Sequence, residues 1–111
     1  MIYLASPYSG TPKQQKRRFR RAEGYVAHCL NRGEPIFSPI VHCHRLGARY
    51  ALPQSWKFWS RWCLPMVEAS DEFRVLALPG WEKSVGVAAE LDYWHSLDRG
   101  PAVMVDPSPW L

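Results

Sequence analysis

The sequence lacks both a long apolar segment and a cysteine framework. No apolar run approaches the roughly 20 residues that span a bilayer, and the chain does not open with the basic and apolar regions of a secretory signal. Its three cysteines are odd in number and have no metal-type spacing, which argues against a set of disulfides and against a zinc site. These absences predict a cytoplasmic protein with reduced thiols, and we expect no membrane contact, metal or cofactor.

One short segment does contain side chains of the types that bind metals. Cys43 lies between His42 and His44. Adjacent residues of an extended segment point to opposite faces, and the sequence offers no second pair of ligands. A metal site is therefore the weaker interpretation of this segment.

Positive charge is spread unevenly along the chain. The net charge is +4 over 111 residues, and much of the excess lies between residues 13 and 21. Phe19, Ala22 and Val26 form an apolar stripe among these cations, so a solvated helix face is the favoured interpretation. Nucleic-acid contact is the alternative, and the charge can also steer anionic nucleotides toward the protein. The cations are Lys13, Lys16, Arg17, Arg18, Arg20 and Arg21.

Strand-like and helix-like segments alternate along the chain. This alternation favours an α/β fold in which right-handed crossovers join parallel strands. We predict a flavodoxin- or Rossmann-like three-layer sandwich with a short parallel sheet of four or five strands, formed as a single domain over residues 1–111. The predicted strands are residues 2–5, 35–41, 73–78 and 102–105, and the predicted helices are residues 12–32, 56–69 and 84–97; residues 42–55 are expected to form a loop over the site, and residues 106–111 an irregular tail.

The most informative segment follows the predicted strand 73–78. There Ser84, Gly86 and Glu90 put a hydroxyl, a glycine and a lone carboxylate on the first turns of a helix. In open α/β sheets, ligands bind at the carboxyl ends of the strands, and a helix N-terminus suits a phosphate. The opening segment, residues 1–10, supplies a second loop at the same edge. Together these segments favour an enzyme that acts on a nucleoside or nucleotide.

Six tryptophans require an explanation. Trp56, Trp59 and Trp62 have helical spacing, which is more typical of a packed helix face than of a base-stacking platform. Trp81 differs, because it follows Pro79 and Gly80 in a strand-to-helix loop. An aromatic side chain in that loop is expected to line a pocket for a flat base.

Three segments together resemble a known family. They are residues 1–9 (MIYLASPYS), residues 37–44 (FSPIVHCH) and residues 78–87 (LPGWEKSVGV), the last followed by Glu90. The sequence resembles the nucleoside 2-deoxyribosyltransferase-like superfamily and, more narrowly, a small bacterial and phage branch known as a domain of unknown function (DUF1937). The resemblance covers nearly the whole chain.

The resemblance implies roles for individual residues. Glu90 would be the nucleophile, and Tyr3 would lie near it and help to set its state. Transferases of free nucleosides tend to have an aspartate at the position of Ser84, whereas a serine is similar to the nucleotide N-hydrolase branch, which binds a 5′-phosphate. The candidate catalytic residues are therefore Glu90, Tyr3 and Asp71, and the candidate substrate-binding residues are Ser6, Tyr8, Ser9, Gly10, His42, Trp81, Ser84 and Gly86.

One position departs from the pattern of the superfamily. Cys63 stands where an aspartate usually helps to protonate the departing base. A thiol is a poorer hydrogen-bonding acid, so His42, His44 or Asp71 would have to take over that role, or the chain has become slow or changed its function. Asp71 also has a plainer interpretation, as a cap or turn residue before a strand.

The predicted activity is cleavage of an N-glycosidic bond. A carboxylate beneath the sugar can attack the anomeric carbon and form a covalent intermediate, as in retaining glycosidases. We expect the substrate to be a nucleoside 5′-monophosphate or its deoxy form, with the base released or transferred. The alternatives are a nucleoside 2-deoxyribosyltransferase, a hydrolase of NAD or ADP-ribose, and a non-catalytic nucleotide-binding or interaction protein. The resemblance also implies a homodimer or larger assembly, and we regard a nucleic-acid partner as the less favoured one.

Overall fold

The computed structural model describes residues 1–111 and contains one parallel sheet flanked by helices. The strand order is β2-β1-β3-β4, and every neighbouring pair is parallel. This arrangement confirms the predicted α/β sandwich with a short parallel sheet. The strands are β1 (Ile2–Ala5), β2 (Ile36–Phe37), β3 (Glu72–Leu76) and β4 (Val103–Val105), and the helices are α1 (Pro12–Asn31), α2 (Pro39–Arg49), α3 (Trp56–Glu68) and α4 (Val85–Ser96).

The two faces of the sheet bury alternate residues of the central strands. Tyr3 and Ala5 of β1 pack with Phe73 and Val75 of β3 in one cluster, together with residues of α3 and α4. Leu4 and Leu76 point the other way and pack with residues of α1 in a second cluster. Because side chains alternate across a strand, two strands of four and five residues supply both halves of the core.

The prediction for residues 35–55 is wrong in part. Strand β2 ends at Phe37, and most of the segment predicted as a loop is helix α2. Ser38 caps this helix, since its Oγ accepts a hydrogen bond from the Val41 amide at 3.2 Å. Pro39 occupies the first turn, where its fixed φ and missing N–H favour a helix start. Pro39, which lies inside the predicted strand 35–41, thus begins a helix instead.

The other boundaries agree with the predictions to within a few residues. Pro65 lies within α3, which continues to Glu68. The tail predicted to be irregular contains a short 3-10 turn, Ser108–Trp110, and a second such turn, Trp81–Lys83, precedes α4. None of the helices combines the length and the apolar composition needed to cross a bilayer.

Arg18 forms hydrogen bonds with two loops at the carboxyl edge of the sheet. Its guanidinium donates to the Ser9 carbonyl at 2.5 Å, in the loop after β1, and to the Pro79 carbonyl at 3.3 Å, in the loop after β3. Gly80, in the left-handed region with a φ of 91°, would bring a Cβ to 3.0 Å from the same guanidinium. The two loops that flank the site are therefore tied to α1 and to each other.

Candidate active site

A cavity of about 670 Å³ opens at the carboxyl edge of the sheet. Its wall includes the loop after β1, the N-terminus of α4, and parts of α2 and α3. This is the edge at which ligands of open α/β sheets bind. Eight of the candidate residues named so far line it: Ser6, Tyr8, Ser9, His44, Cys63, Ser84, Gly86 and Glu90.

Glu90 is the buried carboxyl group of this cavity. Its residue is 5% exposed, and the Tyr3 hydroxyl donates a hydrogen bond to its Oε2. Burial raises the pKa of Glu90 to about 8, and the hydrogen bond from Tyr3 acts against that rise. A carboxyl group with this pKa changes its charge near neutral pH, as general acids, bases and nucleophiles of enzymes often do.

Tyr3 is held rigidly beneath the carboxyl group. It is fully buried, and its ring stacks on Phe73 with 5.5 Å between the ring centroids. The pKa of Tyr3 lies far above its ordinary value. Burial is the larger cause, and the nearby charge of Glu90 is the next. The phenol therefore stays protonated and serves as a fixed hydrogen-bond donor to Glu90.

Cys63 lies in the cavity wall and is 4% exposed. Burial and the nearby charge of Glu90 raise the pKa of its thiol to about 12. The group is therefore neutral at physiological pH, and it offers a weak donor where an acid was expected from the resemblance.

The N-terminus of α4 presents polar groups to the cavity. Ser84 caps the helix, because its Oγ accepts from the Val87 amide at 3.2 Å, and its own O–H remains available as a donor. Gly86 lies beside the carboxyl group: a Cβ there would make van der Waals contact with the Trp56 ring at 3.6 Å and with Glu90 Oε1 at 4.0 Å. The helix N–H groups at this end, which have no intrahelical partner, are of the type that binds small anionic groups.

Ser6 supplies a further polar group to the cavity wall. The residue is 5% exposed, and its Oγ is the one buried side-chain oxygen or nitrogen that has no hydrogen-bond partner. An unpartnered buried hydroxyl costs free energy unless a ligand or a water satisfies it. Because Ser6 lines the cavity, a bound polar ligand would remove this cost.

Tyr8 and His44 form a pair on another part of the wall. The Tyr8 hydroxyl lies 2.6 Å from His44 Nδ1, and the imidazole stacks on Phe19 with 4.2 Å between centroids. Burial, aided by the charge of Arg45, lowers the pKa of His44. The pair is therefore a neutral hydrogen-bonding unit that faces the cavity.

The tryptophans of α3 divide between two environments. Trp56 and Trp59 line the cavity, and the Trp59 indole donates to the Pro53 carbonyl at 2.8 Å. Trp62 instead stacks on His42 with 5.4 Å between centroids. The helical spacing that predicted a packed face thus also gives the cavity two aromatic walls.

Several candidates lie outside the cavity wall. His42 is exposed and stacks on Trp62, and Trp81 packs against the core cluster beneath α4. Gly10 is exposed at the end of the loop after β1, next to the wall residue Ser9. Helix α2 thus turns His44 rather than His42 toward this cavity, and Trp81 does not line it.

Asp71 lies at the opposite end of the sheet. It precedes β3, and its carboxylate contacts the N-terminal ammonium at 2.7 Å. Its side chain is 87% exposed, and the ammonium group lowers its pKa. The structure does not bring Asp71 into the wall of the cavity that holds Glu90, and its position fits the plainer interpretation as a turn residue before the strand.

Sequence reasoning did not single out Lys16, Gln15 and Gln54 as wall residues. All three line the cavity, and the Gln15 side chain donates to the Gln54 side chain at 3.0 Å. Lys16 brings a positive charge to the wall, and its place in the basic segment after β1 was a signal for it. No group of three or more His, Cys, Asp or Glu side chains is arranged to hold a metal ion.

Two comparisons with known proteins bear on the family of this chain. No curated protein matches the sequence. The family model described as a domain of unknown function (DUF1937) matches residues 1–105. The chain belongs to the DUF1937 family.

Proposed function

We propose that this protein cleaves the N-glycosidic bond of a nucleoside 5′-monophosphate, or of its deoxy form, with Glu90 as the nucleophile. The observation that carries the proposal is the Glu90 carboxyl group, buried at the carboxyl edge of the sheet, held by Tyr3 and open to a cavity. A lone buried carboxyl group without a cation is costly, and a catalytic role accounts for it. The resemblance to the nucleoside 2-deoxyribosyltransferase-like superfamily supports the same assignment.

The reaction begins with the ionised Glu90. Its carboxylate attacks the anomeric carbon, the bond from that carbon to the base nitrogen breaks, and the electron pair leaves with the base. The product of this step is a glycosyl ester of Glu90. Water then attacks the anomeric carbon, the bond to Glu90 breaks to regenerate the carboxylate, and the proton that water gives up balances the one that the released base takes up; a second base in place of water would give transfer.

The protonation state of Glu90 determines the pH dependence. Only the carboxylate form is a nucleophile, and the raised pKa means that this form becomes dominant above about pH 8. The rate should therefore increase as pH rises from 6 to about 8. A rate that falls over this range would mean that the protonated carboxyl group acts as an acid instead.

The phosphate group would bind between Ser6 and the N-terminus of α4. The unpartnered Ser6 hydroxyl, the free O–H of Ser84 and the amide groups at the start of α4 all suit an anion. Lys16 adds positive charge to the same cavity. We therefore expect a monophosphate to bind more tightly than the matching nucleoside, and Ser84→Ala to reduce that preference roughly 10- to 100-fold.

The base would lie toward the aromatic part of the cavity. Trp56 and Trp59 offer flat apolar walls, and the Tyr8–His44 pair offers hydrogen bonds to ring nitrogens. As the base leaves with extra negative charge, a donated hydrogen bond from this pair would stabilise it. We therefore assign to His44, which lines the cavity, the role for which Asp71 and His42 were the other candidates.

Other assignments predict different outcomes of one assay. The protein is incubated with nucleosides, nucleoside monophosphates and NAD, and free base is measured by chromatography. Release from monophosphates supports the proposal; release from nucleosides alone favours a transferase, and release from NAD favours an ADP-ribosyl hydrolase. Binding without any release favours a nucleotide-binding protein.

The variant Glu90→Gln provides the decisive control. It keeps the shape of the side chain and a partner for Tyr3, so nucleotide binding should persist while base release falls by several orders of magnitude. Glu68→Gln, at an exposed position, is the matched control and should keep the full rate. Equal rates for Glu90→Gln and wild type would contradict the assignment. Light scattering on the same samples tests the expected homodimer.

A further inference from the structure

A second concave surface lies along α1, apart from the floor of the active-site cavity. It encloses about 570 Å³ between α1 and the C-terminal 3-10 turn, and we call it the basic groove. Five of its eight lining residues are cationic. The lining residues are Lys13, Lys16, Arg17, Arg20, Arg21, Gly24, Trp110 and Leu111.

The charges of the basic groove are not neutralised within the protein. The ion pairs of the structure involve only the N-terminus, Arg32 and Arg74 as cations. The first turn of α1 contains no acidic residue. Like charges three and four residues apart on a helix repel one another, so this arrangement does not serve the stability of α1. An anionic partner would remove the repulsion.

An aromatic side chain forms one end of the basic groove. The Trp110 ring packs edge-on against Tyr25, with 4.8 Å between centroids, and contacts His28. Gly24 makes this approach possible, since a Cβ at that position would lie 3.1 Å from Trp110 Cδ1. The glycine within the charged helix is thus explained by a half-buried tryptophan that is docked beside the five cations.

The basic groove and the active-site cavity share a residue. Lys16 lines both, so a chain of phosphates could run along α1 to the edge of the cavity. Positive charge along a groove with an aromatic ring for an unstacked base is the pattern by which proteins bind single-stranded nucleic acid. We propose that the basic groove binds single-stranded nucleic acid, with phosphates along α1 and a base on Trp110.

This proposal goes beyond the chemistry proposed for Glu90 and does not depend on it. The sequence alone favoured a solvated helix face for these cations. The structure adds three observations to the sequence: the absence of ion pairs, the docked tryptophan and the connection to the cavity through Lys16. A partner of duplex form lacks an exposed base for Trp110, which favours the single strand.

The test measures binding of a fluorescein-labelled single strand of about 12 nucleotides by anisotropy, at salt concentrations from about 50 to 200 mM. All variants carry Glu90→Gln, so that loss of the proposed chemistry does not affect the result. The affinity should fall steeply with salt. Arg17→Gln/Arg20→Gln should reduce the slope of log K against log salt by about 1.4, since each phosphate contact on a single strand contributes about 0.7.

Two controls separate the groove from net charge and from folding. Arg49→Gln/Arg61→Gln removes two exposed arginines outside the groove and should leave the slope unchanged. Trp110→Leu should weaken binding of the oligonucleotide roughly 5- to 100-fold but leave binding of base-free polyphosphate unchanged, with the fold checked by circular dichroism.

Three results would overturn the proposal. The first is no binding of the single strand at about 50 mM salt. The second is an equal loss of slope in the two double variants, which would make the effect one of net charge. The third is polyphosphate binding as tight as the oligonucleotide, which would identify the groove as a site for anionic polymers in general.

Discussion

At the amino ends of the strands, the carboxylates of Asp71, Glu72 and Glu34 each contact a cation, whereas Glu90 at the carboxyl ends has no cationic partner and accepts a hydrogen bond from the Tyr3 hydroxyl. The pKa values follow this difference. Arg74 lowers the pKa of Glu34, and the N-terminal ammonium lowers that of Asp71, while burial raises the pKa of Glu90 to about 8. One end of the sheet is electrostatically satisfied, and the other keeps a carboxyl group and the Ser6 hydroxyl without full partners.

This contrast separates stability from function. Exposed ion pairs cost the folded protein little free energy, and these pairs link residues at the starts of the strands. An unpaired buried carboxyl group lowers the free energy of unfolding at any pH where it should ionise, and natural proteins keep such groups mainly where chemistry needs them. Changes at the carboxyl end should therefore alter pH dependence and rate, and changes at the amino end should alter stability alone.

The largest expected effect comes from adding a second unpaired carboxyl group to the carboxyl end. Cys63→Asp places an acid in a wall position that is 4% exposed and beside Glu90. Burying a carboxylate without a partner costs several kcal/mol, so urea unfolding should show a large loss of stability that grows with pH. Cys63→Ser is the neutral control. A variant that keeps its stability and releases base faster would restore this position as the site of the acid.

Removing the unpaired carboxyl group should have the opposite effect on stability. The unfolded chain loses the Glu90 proton near the ordinary pKa of 4.5, but the folded protein keeps it until about pH 8. The free energy of unfolding of the wild type should therefore fall as pH rises through this window, by the linkage between proton binding and folding. Glu90→Gln lacks this loss and should become the more stable protein by several kcal/mol above pH 8, since each pKa unit corresponds to about 1.4 kcal/mol.

Urea unfolding at several pH values from 4 to 9 measures this difference. Glu68→Gln provides the control for removing an exposed carboxylate, and its curve should parallel that of the wild type. A constant difference between Glu90→Gln and wild type at all pH values would mean that Glu90 has an ordinary pKa in the folded protein. The proposed pH dependence of the rate would then fail as well.

The amino end should respond to the loss of its central cation. Arg74 contacts Glu34 at 2.6 Å and the Tyr25 hydroxyl at 3.0 Å, and it also pairs with Glu72. Arg74→Met keeps much of the apolar stem but leaves these partners without their donor. We expect a loss of about 1–3 kcal/mol in the free energy of unfolding, with base release unchanged at temperatures where the variant is folded. A reduced rate in the folded variant would contradict the separation of the two ends.

A smaller effect is expected from the partner of Glu90. Tyr3→Phe keeps the ring that stacks on Phe73 but removes the donor that lowers the Glu90 pKa. The pH at which the rate is half-maximal should move upward, by an amount on the order of one pH unit for a lost hydrogen bond to a charged group. The rate at high pH should change less than the rate at pH 7. A profile that does not move would assign Tyr3 to packing.

The sequence was sufficient for the fold because its signals were local and redundant. Thr11 caps α1 and Ser84 caps α4, and both helices begin within one residue of the predicted starts at residues 12 and 84. The prediction for the segment around Pro39 was wrong. A proline disfavours the interior of a strand and favours the first turn of a helix, and the capping contact of Ser38 accompanies the helix here. Because the segment is helical, His42 and His44 point in different directions, and His44 is the one that lines the cavity.

The position of a site residue was predictable where the residue follows a strand. It was not predictable where the direction of the side chain depends on how the helices pack. Ser6 and Ser84 follow β1 and β3, so the parallel sheet brings them to one edge. Asp71 precedes β3, and the same rule puts it at the other edge, so the sequence already contained the argument against it. The division of the α3 tryptophans between cavity and packing depends on the position of α2, which no local pattern specifies.

The smallest effect is expected at Asp71, and it tests the comparison most directly. Its carboxylate is exposed and pairs with the N-terminal ammonium. The lowered pKa means that the pair contributes at neutral pH and that this contribution is lost as pH falls through the pKa of Asp71, but solvent screens such a pair strongly. Asp71→Asn should therefore leave base release unchanged and the thermal midpoint almost unchanged at pH 7, with the difference disappearing in acid. A loss of rate as large as that of Glu90→Gln, in a variant that is still folded, would put the Asp71 carboxylate into the reaction. Since the sheet separates it from Glu90 within one chain, it would have to reach the cavity of a second copy, and light scattering on the same sample would then have to show an oligomer.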